Sequence, residues 1–278
     1  MRESCLNSNH DHLCGQLYAN DKLLAIRIAT HKRYTVPPVD LTQWTLDLIT
    51  WQGDEQVLDV GCGSGQYMAP VTERLTEGGR YLAGDLSSGM LRGLPDDAPA
   101  ANMDVVTIPL PSHSCDVVLA NHVLHHAHDV GQAVAECHRV LCEGGRLVAV
   151  TNSQTTMTEL VILIREGFNR LGTSPAVAHD HVFRPFTLEN GQATLTHYFD
   201  QVERHILHSA LVFPEPAPLL AYVDSMRSSY EPGLPNGVAW DDLMHVWHKM
   251  ISEHIAQHRA FRIGKVVGAF VAVKRHCT

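Results

Sequence analysis

The segment VLDVGCGSG, residues Val57–Gly65, constrains this chain more than any other feature. A short apolar run leads into three glycines at alternate positions, and helix-like sequence follows. Glycine lets the backbone approach a ligand closely, and the free N–H groups of a following helix favour an anionic or polar group. The dinucleotide fingerprint G-x-G-x-x-G would need glycine where Gln66 stands. The motif therefore favours a nucleoside-type ligand, and a nicotinamide dehydrogenase is the weaker interpretation.

Apolar strand-like runs alternate with helix-like segments on both sides of this motif. We predict strands over 56–60, 81–85, up to 104, 116–120, 146–151, 202–207 and 264–274, and helices over 65–76, 130–141, 158–171 and from about 187. Strands separated by helices are typical of a parallel sheet with helices on both faces. The predicted fold class is α/β, Rossmann-like, with a mostly parallel sheet.

The domain organisation follows from where this alternation is interrupted. Two helices, separated by Pro37-Pro38, are predicted before the first strand. We interpret residues 1–52 as an N-terminal helical lid segment and residues 53–278 as the catalytic domain. Lid insertions are predicted near 152–186 and 209–260, the second of them Pro-rich at its start and mainly helical.

Asp85 stands about 20 residues beyond the glycine motif, at the predicted carboxyl end of the second strand. A carboxylate there can accept both hydroxyls of a ribose. At this point the chain resembles the class I S-adenosylmethionine-dependent methyltransferases. VLDVGCGSG resembles their first motif and AGDLSSGML their second, ANMDVVTIPLP carries the acid after the third strand, and DVVLANHVLHHAHD and ECHRVLCEGGRLVAVTNS resemble their fourth-strand and fifth-strand segments.

The resemblance implies a seven-stranded sheet with an antiparallel last strand, S-adenosyl-L-methionine as cofactor, and a set of contacts to it. Gly61 and Gly63 would line the methionine moiety with Asn121, and Asp85 would hold the ribose. Leu86 would pack beside the adenine, and Asp104 with Val105 would receive its edge. Tyr18, in the N-terminal segment, is a further candidate, because an aromatic face attracts the cationic sulfonium. The alternative is that both acids are helix caps and the glycines an ordinary turn.

The methyl acceptor is expected to be a small molecule. The segments RIATH, ANHVLHH, TNSQTTMTEL and FTLENGQATLTHYFDQVE resemble a microbial branch of the family that acts on small molecules, often in specialised biosynthesis. With 21 Lys and Arg against 30 Asp and Glu, the net charge of −9 and the lack of a basic run disfavour nucleic acid as a partner. A protein or RNA methyltransferase and a catalytically silent cofactor-binding module remain the alternatives.

A hydroxyl acceptor needs a base, and His122, directly after the fourth strand, is the first candidate for it. His31 is the rival, whereas His125 and His126 are expected to pack. The histidines at 122, 125, 126 and 128 lack a completing carboxylate or thiol, so we predict no metal site.

Location and assembly are less constrained. The scattered, odd count of seven cysteines fits reduced thiols. The apolar runs are too short to span a membrane, and residues 1–15 lack the apolar core of a signal peptide. A cytoplasmic protein without a membrane partner is therefore expected. A homo-oligomer is compatible with the sequence, which does not fix the oligomeric state.

Overall fold

The computed structural model describes residues 22–173 and 185–275 of the 278-residue chain. Eight strands form one sheet: β1 (Thr35–Val36), β2 (Gln56–Val60), β3 (Arg80–Asp85), β4 (Ala100–Asn102), β5 (Cys115–Leu119), β6 (Leu141–Asn152), β7 (Gln201–Phe213) and β8 (Phe261–Val273). Their order across the sheet is β1-β7-β8-β6-β5-β2-β3-β4. Strands β4, β3, β2, β5 and β6 pair in parallel, whereas β8 is antiparallel to both β6 and β7. The predicted α/β class and the antiparallel last strand are confirmed.

The helices are α1 (Lys22–Tyr34), α2 (Leu41–Leu46), α3 (Met68–Thr72), α4 (Ser88–Leu91), α5 (Val130–Val140), α6 (Thr158–Arg170), α7 (Gly191–Leu195), α8 (Pro216–Asp224), α9 (Arg227–Tyr230) and α10 (Trp240–His258). Short 3-10 turns cover Leu124–His126 and Glu231–Gly233. Asp129 shows why a helix begins where it does: its side chain accepts the N–H of Gln132 at 2.9 Å and so caps α5. No helix within the described residues is long and apolar enough to cross a bilayer.

The central strands are apolar because both faces of the sheet are covered. In β2, Val57, Leu58 and Val60 are all at most 3% exposed, and they divide between core clusters on the two faces. A third cluster joins α6, α8 and α10 to the first residues of β8 and the last residues of β7. It is centred on Trp247, whose indole Nε1 donates to the Leu163 carbonyl oxygen at 3.0 Å.

Several predicted boundaries are wrong. The eighth strand, β1, was not predicted; it is two residues long and pairs with β7 through Thr35 and Leu211. The helix predicted over 65–76 covers only Met68–Thr72, because Gly65 has a φ of +74° and cannot begin a right-handed helix. The helix expected from about 187 begins at Gly191, after a turn in which the N–H of Thr187 donates to Asn190 Oδ1 at 2.7 Å.

The ends of β6 and β7 and the start of β8 lie at the same edge of the sheet. Strand β6 ends at Asn152, β7 ends at Phe213 and β8 begins at Phe261, and the pairing puts these three points at the carboxyl edge of the parallel strands. The segments that follow Asn152 and Phe213 therefore leave the sheet where open α/β folds bind ligands. The predicted boundary at 52 and the lid interpretation stay predictions.

Candidate functional site

The glycine turn after β2 is held open by left-handed backbone. Gly61, Gly63 and Gly65 have φ values of +74°, +53° and +74°, which other residues rarely adopt. A Cβ on Gly61 would lie 2.5 Å from the Val123 side chain, so that glycine is required for packing against the segment after β5. Among the described residues, a Cβ on Gly63 would meet only Leu24 Cδ2, at 3.8 Å. The space above Gly63 is thus a cradle between the turn and helix α1.

Asp85 ends β3 and binds this turn. Its Oδ2 accepts the N–H of Gly63 at 2.9 Å, and its Oδ1 accepts the N–H of Ser87 at 2.8 Å. Burial raises the pKa of Asp85, and the hydrogen bonds from the Ser87 and Gly63 backbones oppose that rise. A carboxylate has about four acceptor positions. The carboxylate therefore keeps acceptor capacity for a hydroxyl donor such as that of a ribose.

The residues predicted for the adenine lie beside Asp85. The N–H of Met103 donates to the Asp85 carbonyl oxygen at 3.0 Å, which brings the turn carrying Asp104 and Val105 next to the end of β3. Asp104 Oδ1 accepts the N–H of Val106 at 3.1 Å, as a turn-capping acid would. Leu86 is half-buried, whereas the Val105 side chain is buried in the core at 6% exposure.

Asn102 positions these two strand ends and was missed by the sequence analysis. Its Nδ2 donates to the carbonyl oxygens of Asp85 at 3.0 Å and Leu86 at 2.8 Å. One side chain therefore ties the end of β4 to the loop after β3. The signal in the sequence was an amide just before a candidate adenine-binding acid, but an amide in that place carries no chemistry of its own.

Asn121 is the most unusual buried polar group at this edge. It is 8% exposed, and within residues 22–173 and 185–275 neither Nδ2 nor Oδ1 has a hydrogen-bond partner. Leaving such atoms unpaired costs roughly 1–3 kcal/mol. It follows β5 two residues before Val123, the side chain that packs on Gly61. Its position fits a residue whose partner is a bound ligand.

His122 has a left-handed backbone, with a φ of +55°, and its N–H donates to the Val150 carbonyl oxygen at 2.9 Å. A non-glycine residue held in this region stores about 1–2 kcal/mol, and such residues cluster at functional sites. Its ring lies 6.3 Å from that of His125, which is 4.1 Å from the ring of His126. The structure thus places His122 at the carboxyl edge of the sheet, next to Asn121.

His31 in α1 belongs to a second group of polar residues at the same edge. Its Nε2 lies 3.3 Å from the hydroxyl oxygen of Tyr222, a residue of α8 that is 6% exposed. Burial lowers the pKa of His31 to about 3, and the charges of Lys265, His122 and Arg27 add to that effect. His31 is therefore neutral near pH 7. Tyr222, Lys265 and Arg27 were not among the residues predicted from the sequence.

Two other expectations concern this region. Tyr18 lies outside the described residues. Among those that are described, no three His, Cys, Asp or Glu side chains converge as a metal site would require; the absence of a metal stays a prediction.

Asp59, the acid within the glycine motif, is fully enclosed. It is 1% exposed, its Oδ2 accepts the hydroxyl of Tyr81 at 2.6 Å, and its Oδ1 has no hydrogen-bond partner in the described residues. Burial raises the pKa of Asp59 to about 7, the Tyr81 hydrogen bond opposes the rise, and the charge of Asp85 adds to it. Asp59 supports the base of the turn instead of facing its open side.

Comparison with known proteins agrees with this geometry. Residues 58–149 match a family model described as a methyltransferase domain. The chain is similar to a malonyl-[acyl-carrier protein] O-methyltransferase of Methylococcus capsulatus, with 32% identity over 38% of this chain and 40% of the relative. In length, the chain covers less than half of the first curated relatives it matches.

Two solved structures share the fold. One, described as a putative methyltransferase from Bacillus halodurans, has a TM-score of 0.58 and 17% identity over 85% of this chain and 99% of that one. The other is a Haemonchus contortus N-methyltransferase in complex with phosphomonomethylethanolamine and S-adenosylhomocysteine, with a TM-score of 0.58 and 17% identity over 96% of this chain and 60% of that one. The matched segment shows a methyltransferase domain over residues 58–149, and the two solved structures show that the chain has a Rossmann-like methyltransferase fold.

Proposed function

We propose that this protein is an S-adenosylmethionine-dependent methyltransferase that methylates an oxygen or nitrogen of a small organic molecule, in specialised biosynthesis in the cytoplasm. The observation that carries the proposal is the hydrogen bond from the Gly63 N–H to Asp85 at 2.9 Å, together with the Asn121 amide, which has no hydrogen-bond partner in the described residues. An acid, an open glycine turn and an unpaired amide match the ribose and the methionine end of that donor. The name of the malonyl-[acyl-carrier protein] relative favours oxygen as the accepting atom.

The residues of this chain divide into those that hold the donor and those that prepare the acceptor. When bound, S-adenosylmethionine supplies an electrophilic methyl group on a sulfonium. Asp85 would fix the ribose, Leu86, Asp104 and Val105 the adenine, and Gly61, Gly63 and Asn121 the methionine part. Methyl transfer needs aligned reactants and little covalent help. Exclusion of water is assigned to α1 and to the helices inserted after Asn152 and Phe213, which cover this edge.

His122 is the proposed base. Its imidazole would accept the proton of a hydroxyl acceptor, so that the acceptor oxygen could take the methyl group that the donor supplies. His31 is less suited to this step, because a group with a pKa of about 3 is a weak base near neutral pH. We therefore assign proton removal to His122 and keep His31 for contact with the acceptor.

The proposal is tested by two measurements on the intact protein. Calorimetric titration should show that S-adenosylhomocysteine binds. Incubation of the protein with radiolabelled donor and a small-molecule extract should then give labelled product of low molecular mass. Label in protein or RNA would favour the macromolecular alternative, and tight binding with no label in any fraction would favour a silent module. Failure to bind S-adenosylhomocysteine would refute the proposal.

The role of His122 is tested by His122→Asn. Asparagine tolerates the left-handed backbone at this position, so the fold is retained while the base is removed. Once an acceptor is known, kcat should fall by about 10²–10⁴-fold and lose its dependence on a basic group, with donor affinity unchanged. The exposed His128, changed to Asn, is the matched control. Full turnover at every pH in His122→Asn would contradict the assignment.

A further inference from the structure

Lys265 interrupts an apolar face of the sheet. It lies in β8 between Ile263 and Val267, which point to the same face and are 0% and 5% exposed. Its Nζ donates to Thr35 Oγ1 at 3.0 Å. In the part of the chain that the structure describes, no carboxylate lies within ion-pair distance of it. A partly buried ammonium without a counter-charge is costly, so this position needs a reason.

Lys265 has other basic groups near it. Thr35, which accepts from Lys265, donates its own hydroxyl to the His31 carbonyl oxygen at 2.6 Å. The charged or titratable groups that act on the His31 ring are all bases, namely Lys265, His122 and Arg27. Both Nε and Nη2 of Arg27 are shielded from solvent. The electrostatic complement of this group of residues is an anion.

The same residues extend from the donor turn to the inserted helices. Leu24, three residues before Arg27 in α1, is the nearest side chain above Gly63. His31, four residues after Arg27, reaches Tyr222 of α8, whose hydroxyl lies 3.9 Å from Met157 Sδ. One face of α1 therefore runs from the proposed donor site to Lys265. A group held by Lys265 would lie at the acceptor side of the reaction centre.

We propose that the methyl acceptor is a small organic anion whose negative group binds Lys265, with Arg27 and His31 beside it. This inference rests on the proposed function. It adds a substrate class and a specificity residue, because an ammonium in an apolar surrounding discriminates strongly against a neutral isostere. The negative group can be a carboxylate or a phosphate, since both accept charge-assisted hydrogen bonds from Lys.

A competing role for Lys265 is to bind the carboxylate of the donor itself. The two roles predict different losses in a neutral variant. If Lys265 holds the donor, Lys265→Met should weaken the binding of S-adenosylhomocysteine. If it holds the acceptor, S-adenosylhomocysteine should bind with unchanged affinity, and only the binding of a small anion added to the loaded protein should be lost.

The experiment is calorimetric titration of the protein saturated with S-adenosylhomocysteine. The probes are acetate, benzoate and phenyl phosphate, with benzamide as the neutral counterpart of benzoate. We expect at least one anion to bind the wild-type protein and benzamide not to bind. In Lys265→Met that anion should bind at least about tenfold more weakly, as loss of a charge-assisted hydrogen bond implies. A preference for benzoate or for phenyl phosphate identifies the carboxylate or the phosphate source.

Two control variants separate charge from structure. Lys265→Arg keeps the charge and should keep anion binding within about threefold of the wild type, well under the tenfold that one such bond is worth. Lys249→Met removes an exposed lysine of α10, 74% exposed and 4.0 Å from Glu253, and should change nothing. Unchanged S-adenosylhomocysteine affinity in Lys265→Met shows that the variant is folded.

Three results would overturn the inference. They are no binding of any anion to the loaded wild type, equal binding to the wild type and Lys265→Met, and parallel loss of S-adenosylhomocysteine in that variant. A wild-type protein that does not bind S-adenosylhomocysteine at all would instead refute the proposed function, so the two failures are distinguishable.

Discussion

The carboxylate of Asp85 accepts the backbone N–H of Gly63, 22 residues earlier in the chain, at 2.9 Å. The hydrogen bond joins the end of one parallel strand to the turn that follows its neighbour. It makes the shape of the glycine turn depend on a residue that is itself a candidate ligand contact. Changes at either position should therefore affect binding more than folding.

Asp85→Asn should lower the affinity for S-adenosylhomocysteine by at least about tenfold, because loss of a hydrogen bond to one charged acceptor costs about 1.5–3 kcal/mol. The amide keeps the size of the side chain, but one of the two oxygens that accept the Gly63 and Ser87 N–H groups becomes a donor. Calorimetric titration measures the change. The exposed Asp54, changed to Asn, is the matched control and should bind normally. Wild-type affinity in Asp85→Asn would show that the ribose site is assigned wrongly.

Gly63→Ala should abolish or severely weaken donor binding with only a small loss of stability. The new methyl group would enter the cradle, where the nearest atom is 3.8 Å away, and the left-handed φ of +53° costs about 1–2 kcal/mol. Gly172→Ala has the same backbone strain, with a φ of +73° and no atom of the described residues within 4 Å, but lies outside the site. Urea denaturation should give similar losses for both, and titration should separate them. Equal donor affinities would argue against the cradle.

Asp59→Asn should change how stability depends on pH. The folded protein holds a proton on Asp59 up to about pH 7, whereas the unfolded chain releases it near 3.8. Wild-type stability therefore falls as pH rises through this window, by up to about 1.4 kcal/mol per pH unit from this one group. The variant lacks that loss, so its free energy of unfolding, measured by urea denaturation, should rise relative to that of the wild type between pH 5 and pH 8. Asp54→Asn should run parallel to the wild type. Parallel behaviour of Asp59→Asn would contradict the raised pKa of Asp59.

Gly167→Ala should destabilise the helices at the carboxyl edge of the sheet. Its Cβ would lie 2.1 Å from Trp247 Nε1, the atom that donates to Leu163, so the contact between α6 and α10 must open. We expect a loss of about 1–3 kcal/mol or more, as overpacking of a well-filled core usually costs. Gly264→Ala, whose new methyl group would lie no closer than 3.6 Å to any atom of the described residues, is the control for a glycine with ordinary space around it. Thermal unfolding measures both, and an unchanged midpoint in Gly167→Ala would contradict the observed packing.

Strands β2 and β3 could be predicted because they are short runs that are followed by glycine or end in an acid. The predicted strand 56–60 coincides with β2, and Asp85 does end β3. Strand β1 could not be predicted, because two residues carry no periodicity and its pairing with β7 lies far away in sequence. The helix after the glycine turn was predicted too long because its first residues have helix-compatible side chains but a left-handed Gly65.

The residues proposed to hold the donor could be named from the sequence, whereas most of those proposed for the acceptor could not. Gly63, Asp85 and Asn121 belong to one series of neighbouring motifs. Tyr222 reaches Met157, and Lys265 reaches Thr35, only through packing of distant segments. Lys265 did leave a signal, as the charged residue two places from each of Ile263 and Val267 in an apolar strand. Its meaning depends on Thr35 and His31. Lys265 and Thr35 are 230 residues apart in the sequence, and His31 and Tyr222 are 191 residues apart.

The antiparallel course of β8 has a consequence for how this fold can diversify. Because β6 and β7 finish, and β8 starts, at one rim of the sheet, the segments attached there can be lengthened, shortened or exchanged without disturbing the strands that carry Gly63 and Asp85. The sequence of the segments at that rim can therefore change to fit a different substrate while the residues proposed to bind the donor are retained.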